Sequence, residues 1–173
     1  MSRIDEKGRE LFDFVCTSIE LVKEVKKYFN WYSGVPDSVF KSVIPKLEPY
    51  YFSSRENHCI GMAFGAKVGG KMPCIFMQNS GLGLALDAIL GLFKLYNLGL
   101  VVFLSNRGEL KWEEVQHREW GKITMPLLKL IGAEVIDFEM YGLNSVRTAY
   151  EISTRKNEVV FILVHRGNID EEN

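Results

Sequence analysis

The sequence predicts an α/β domain: a doubly wound, mostly parallel sheet with helices on both faces. Three observations point there. Strand-length apolar runs alternate with helix-length segments along the chain. The strand runs, such as residues 98–104 and 159–165, are continuous stretches of apolar residues, as strands buried on both faces require. Finally, 173 residues at 47% hydrophobic content carry no internal repeat, low-complexity tract or Pro/Ser linker, which suits a single domain over 1–173 with its own core.

Taken in order, Leu11, Phe12, Val15, Ile19, Val22 and Val25 recur at helical spacing and predict a helix over 8–29. A short extended piece then ends in GVPDS (34–38), whose Pro36 and Asp37-Ser38 predict a turn and a helical start over 38–47. A strand over 50–54 leads to Arg55-Glu56-Asn57 and a small-residue helix over 58–68, closed by Gly69-Gly70. Residues 73–77 read as a strand, 82–96 as a long apolar helix and 98–104 as a second buried strand. A polar, charged loop is expected up to Gly121. After it come a helix over 125–131, a strand over 134–138, a helix over 145–155 and a final strand over 159–165.

In such sheets ligands bind at the carboxyl ends of the strands. Four strands end in polar groups there: Asp37, Glu56, Gln78-Asn79-Ser80-Gly81 and Asn106-Arg107-Gly108-Glu109. The stretch CIFMQNSGLGL (74–84) thus runs from core strand to candidate site within a few residues.

Composition narrows the function classes. A net charge of −1 gives no handle for nucleic acid or a membrane surface. The charged start MSRIDEKGRE precedes no apolar run, so neither a secretion signal nor a membrane span is expected, and the protein is placed in the cytoplasm. Cys16, Cys59 and Cys74 stand apart in apolar contexts, fitting reduced packing residues. His58, His117 and His165 lack metal-ligand spacing, so no metal ligand is assigned. Gly81-Leu82-Gly83 is not followed by the third glycine of a dinucleotide fingerprint, no P-loop occurs, and Ser80 is not a nucleophile elbow. Glu56 stands out between a strand end and a helix of small residues. Burial there would raise its pKa and make it a proton donor or relay, whereas a helix-start carboxylate can also simply complement the dipole.

Taken together, GVPDS (34–38), RENHCIGMAFGAKVGGK (55–71), MQNSGLG (77–83), NRGE (106–109) and QHREWGKIT (116–124) resemble the thiamine diphosphate-dependent phosphonopyruvate and sulfopyruvate decarboxylases. The resemblance spans residues 34 to about 132 and continues loosely beyond. It implies that Glu56 hydrogen-bonds N1′ of the cofactor's aminopyrimidine and activates it for attack on a 2-oxo acid. By the same resemblance Gln78, Asn79, Ser80, Gly81 and Leu82 flank the cofactor, Gln116, His117 and Asp37 have catalytic roles, and Arg107, Asp37 and Ser38 receive substrate. The family's GDG-type segment and following Asn, which hold Mg²⁺ and the diphosphate, do not occur in this sequence. The chain is therefore expected to be the pyrimidine-binding (PYR) half, an α subunit whose β subunit carries the diphosphate-binding (PP) domain and Mg²⁺, in an α2β2 or higher heteromer. Apolar residues 82–96, with Asp87 and Lys94 as the only charges, are expected to lie in that interface.

Arg107, Lys111, His117, Arg118 and Lys122 follow the fourth strand, and cations there suit a 2-oxo acid with a second anion, phosphonate or sulfonate. Each can also be plain solvated surface. Leu84 stands where family members often carry Asn, which loosens the substrate assignment. Two other readings stay open: a thiamine diphosphate-dependent carboligase subunit, and a non-catalytic regulatory partner.

Overall fold

The computed structural model describes residues 3–5 and 7–170. Residues 1, 2 and 6 of the charged start lie outside the described residues, as do 171–173 at the end of the expected domain. Six strands, all parallel, form the central sheet: β3 (Trp31–Gly34), β4 (Tyr50–Phe52), β5 (Pro73–Gln78), β6 (Leu100–Asn106), β7 (Glu134–Asp137) and β8 (Val159–His165), preceded by a small antiparallel pair, β1 (Arg3–Ile4) and β2 (Glu10–Leu11). Their spatial order is β4-β3-β5-β6-β8-β7. From β3 the chain steps outward to β4, then returns past it to β5 and builds the other half. The order therefore reverses between β3 and β5, where an open parallel sheet leaves a crevice at its carboxyl edge.

Every residue of β6 (LVVFLSN) and β8 (VVFILVH) is buried, so alternate side chains feed cores on opposite faces. Cys74, Phe76, Val101, Phe103, Val160 and Ile162 face one core, and Ile75, Met77, Val102, Leu104, Phe161 and Leu163 the other. In the first core Phe76 stacks on Phe103 with centroids 4.6 Å apart. Fully burying such a side chain stabilises by about 1.5–3 kcal/mol. Helices α1 (Ser18–Val25) and α6 (Asn144–Arg155) cover that face, while α2 (Glu56–Val68), α3 (Leu82–Ala88) and α4 (Val115–Leu130) cover the other. A single turn, α5 (Phe138–Tyr141), follows β7.

The expected strands are all present, and three helical segments differ from expectation. The first helix covers only Ser18–Val25, because Thr17 and Glu20 form a reciprocal capping box that starts it there. Residues 12–16 are instead extended along the segment after β8: the Phe12 N–H donates to the Arg166 carbonyl (3.0 Å) and that of Val15 to Asn168 (2.8 Å). A β-bridge joins Cys16 to Ile169. Residues 38–47 form two separate 3₁₀ turns, Ser38–Phe40 and Ile44–Lys46, the first capped by Asp37. The loop expected up to Gly121 ends earlier: its residues from Val115 on form the first part of α4, which runs through Pro126.

Within 82–96 the helix widens to π geometry over Ile89–Lys94. Leu82, Ala85, Ile89 and Phe93 are buried in the core, while Leu84, Leu90, Leu95 and Tyr96 are 43–71% exposed. Lys94 is tied to its own chain. Its Nζ donates to the carbonyls of Ile131 (2.6 Å) and Gly132 (3.1 Å), satisfying the end of α4. Among the described residues no helix is long and apolar enough to cross a membrane.

Candidate functional site

The carboxyl ends of β4, β3, β5 and β6, neighbours in the sheet, deliver their polar residues to one rim. Glu56 is the first residue of α2, half-buried, just past the end of β4. Its carboxyl lies directly over Gly81. A Cβ built on Gly81 would meet Glu56 Cδ at 2.6 Å and Oε1 at 2.7 Å. Gly81 has ordinary right-handed backbone angles (φ −69°), so space for Glu56, not backbone freedom, is what requires glycine there.

Two residues shape the turn that carries Gly81. The Gln78 side-chain amide donates to Ser80 Oγ at 2.7 Å, across the turn. Asn79 is fully buried and points inward; its Nδ2 lies 2.9 Å from both the Arg107 carbonyl and Thr124 Oγ1 and 3.2 Å from Asn106 Oδ1. It therefore ties β5 to the end of β6 and to α4. Leu82 faces the core.

A second group of charges follows β6. Arg107 is 6% exposed and sits between two sealed carboxylates: it pairs with Glu113 through Nε, and Nη1 stands 3.5 Å from Asp37 Oδ2. Glu113 also accepts the backbone N–H groups of Gly108 (2.7 Å), Glu109 (3.1 Å) and Leu110 (3.3 Å). Burial would raise its pKa, but these bonds and Arg107 outweigh it and hold the carboxyl below its usual range. The loop turns sharply at Gly108 (φ +90°), whose carbonyl would lie 2.5 Å from a Cβ on Gly121 of α4. Two glycines thus let loop and helix touch backbone to backbone.

His117, in the first turn of α4, borders this group. Burial first, and then Arg107, lower its pKa and favour the neutral ring. Its buried Nδ1 has no partner among the described residues. The structure therefore gathers Asp37, Ser38 and His117 around Arg107, and Glu56 with Gly81 beside them in the sheet order. Asn79 links the two groups through its bond to Arg107. Gln116, by contrast, is exposed at the start of α4, as are Lys111, Arg118 and Lys122. Sequence reasoning missed Glu113, which carries no motif signal, and His165. The His165 ring lies between Glu109 (Nδ1–Oε2 2.6 Å) and Asp137 (Nε2–Oδ2 3.2 Å) and stacks on Phe12.

The fold is shared with domains of larger solved proteins. A 2-oxoglutarate:ferredoxin oxidoreductase from Magnetococcus marinus superposes with TM-score 0.63 at 15% identity, over 85% of this chain and 28% of that one. A Mycobacterium smegmatis protein described as a thiamin diphosphate-dependent enzyme gives 0.58 at 10% identity, over 86% and 31%. In sequence, the chain is similar to particular decarboxylases. Sulfopyruvate decarboxylase subunit alpha of Methanocaldococcus jannaschii is 39% identical over 100 residues, 58% of this chain and 56% of the relative. Its Methanococcus maripaludis counterpart is 37% identical over 78 residues, 45% and 47%. Phosphonopyruvate decarboxylase of Streptomyces viridochromogenes is 32% identical over 108 residues, 59% of this chain and 27% of that protein. The chain spans about half the length of the sulfopyruvate decarboxylase subunits it matches. No family model matches it.

Proposed function

We propose that the chain is the PYR-half α subunit of a split thiamine diphosphate-dependent decarboxylase acting on sulfopyruvate or phosphonopyruvate, and that residues 1–173 form that one domain. The observation that carries the reading is the Glu56 carboxyl seated on Gly81 at the carboxyl edge of the sheet. A carboxyl, a turn cleared of side chains beneath it and an orphaned imidazole nitrogen at His117 are donors and space that suit an aminopyrimidine. The residues present fit the cofactor.

When bound, thiamine diphosphate supplies the electron sink for loss of CO₂ from a 2-oxo acid. The chain's own residues have narrower tasks. Glu56 would hold and exchange a proton at N1′ of the pyrimidine, which needs a carboxyl fixed in place and partly removed from water. The Gln78-Ser80 bond and the Asn79 anchor keep the turn beneath it rigid. Neutral His117 would take or return a proton at the substrate, and Arg107 with Ser38 would orient it. Mg²⁺ and the diphosphate are assigned to a β subunit with a PP domain, in an α2β2 or larger assembly. The name subunit alpha borne by three relatives supports a partner chain. Three free, buried cysteines fit a reducing cytoplasm.

The test is to co-produce the chain with its genomic neighbour and measure CO₂ release from sulfopyruvate, phosphonopyruvate and pyruvate. Activity on an anionic substrate should fall by several orders of magnitude in Glu56→Gln, with the complex still assembled. Near-normal turnover of that variant would remove Glu56 from the mechanism. Formation of a condensation product from pyruvate without preference for the anionic acids would move the assignment to a carboligase.

A further inference from the structure

Glu113 grips four consecutive residues with one carboxyl group. Its Oε1 takes the Arg107 Nε–H, and its Oε2 takes the backbone N–H groups of Gly108 (2.7 Å), Glu109 (3.1 Å) and Leu110 (3.3 Å). The chain allows this by folding back on itself, since the Glu113 N–H donates to the Leu110 carbonyl at 3.1 Å. The Glu113 side chain is 1% exposed, whereas Glu114, the next residue, is exposed. A carboxylate suits the task because both of its oxygens accept and neither donates. Glutamine has the same length, but its amide is an acceptor on one side and a donor on the other. Whichever way it turns, N–H would face N–H.

The grip reaches the candidate site by two routes. Through the side chain, it sets the direction of the Arg107 guanidinium: Nη1 donates to Ser38 Oγ at 3.1 Å and stands 3.5 Å from Asp37 Oδ2. Arg166 Nη1 meets the same Ser38 oxygen at 3.2 Å, so this corner joins the chain after β3, β6 and β8. Through the backbone, the grip fixes Gly108 in its left-handed turn (φ +90°), where a Cβ would come within 2.5 Å of the His117 carbonyl carbon. His117 is thus seated on the turn that Glu113 holds. Its Nδ1 has no partner among the described residues, so the backbone seat, not a bond at Nδ1, places the ring.

We propose that Glu113 is a positioning residue for the reaction, fixing the Arg107 guanidinium at Ser38 and the turn on which His117 is seated. This rests on the decarboxylase reading and adds to it a residue that no motif carries. In substrate binding Glu113 acts through Arg107, so its effect should disappear once Arg107 is gone. The test is therefore two substitutions and their combination in the assembled complex. KM for the anionic acid is the readout, because a smaller folded fraction lowers the rate at saturation and leaves KM alone. Glu113→Gln should raise that KM roughly ten- to hundredfold, the worth of hydrogen bonds to a charged group. Glu113→Asp, which keeps both acceptors at shorter reach, should recover part of the loss. Arg107→Gln combined with Glu113→Gln should be no worse than Arg107→Gln alone. That combination removes both charges of the pair together, so the comparison stands even where Glu113→Gln alone assembles poorly. An unchanged KM in Glu113→Gln, or losses that multiply in the combination, overturn the proposal.

A second readout does not depend on turnover. In the isolated full chain the Arg107 Nε–H resonance should exchange slowly with water and stand apart from that of the exposed Arg147. In Glu113→Gln the two should merge. Coincidence of the two resonances in the parent chain overturns the proposal, whatever the complex turns over. A distinct resonance that is lost in Glu113→Gln, in a chain whose complex releases no CO₂, would reject the decarboxylase reading and keep Glu113 as the residue that fixes Arg107.

Discussion

At position 81 glycine and alanine differ by one methyl group, and the structure gives that methyl no room beneath the Glu56 carboxyl. The backbone angles there suit alanine, and Glu56 can swing aside at its flexible end. Gly81→Ala is therefore expected to melt close to the parent temperature while losing about a hundredfold in turnover, the cost of misplacing a reacting group by an ångström. Parent-level turnover in the assembled complex would show that the contact is not the working geometry. His165 gives a second expectation at this scale. Burial disfavours its imidazolium, but the carboxylates of Glu109 and Asp137 outweigh burial and raise its pKa. The folded state thus binds the proton more tightly than the unfolded chain. The resulting stability is complete below the ordinary imidazole pKa of about 6.5 and is lost as pH rises through the raised folded value. Urea unfolding across that window should show stability falling with pH, and His165→Gln should flatten the slope; an unchanged slope would place the proton elsewhere. The place of Glu56, Gln78 and Ser80 at the rim was legible because polar residues follow apolar strands there. The task of Glu56 was not, since a helix-start carboxylate can equally complement the dipole and only the family resemblance pointed to a cofactor. Arg107 was legible as a cation, but its neutralisation by Glu113 was not. That pairing depends on how a loop folds back, and no periodicity records it.

Among the elements, the strands were the easiest to read, since an unbroken apolar run in β5, β6 or β8 has one comfortable environment. Residues 9–16 misled because Leu11, Phe12 and Val15 fit helical spacing while serving as an extended strap against 166–168. The start of α4 was hidden by the charged run VQHREWGK, which becomes helical because Asn79 reaches Thr124 and Gly108 packs on Gly121. The segment 82–96 was read as apolar all round, and the structure divides it. One side fills the core, and the other, with Leu84, Leu90, Leu95 and Tyr96, faces solvent in the lone chain. Leu90→Glu should accordingly leave the isolated chain folded and prevent its association with the proposed β subunit, because burying an unpaired carboxylate costs several kcal/mol. Elution of the complex at its parent volume on size exclusion would show that this side is not the contact.

On the scale of the whole molecule, the segments at either end of the described chain are joined. Besides the backbone bonds between 12–16 and 166–168, the Asn168 amide donates to the Asp13 carbonyl at 2.8 Å, 155 positions away in sequence. The same strap holds Trp112 through Glu10, and Trp112 holds Arg166. This join bears on the order in which the molecule assembles. Contacts so distant in sequence must bear the entropy of closing nearly the entire chain, so they form late, after the sheet has shortened the effective loop. The Ser38 corner should then be the last part to mature, present only once the two ends have met. With Trp31→Phe and Trp120→Phe in the background, Trp112 fluorescence should rise in a slower phase than far-UV ellipticity when the chain is diluted from urea. A single shared exponential would mean that the ends meet as the sheet forms. If the phases separate, there is an interval during refolding in which the Glu56 turn is already built and Arg166 is not yet held at Ser38.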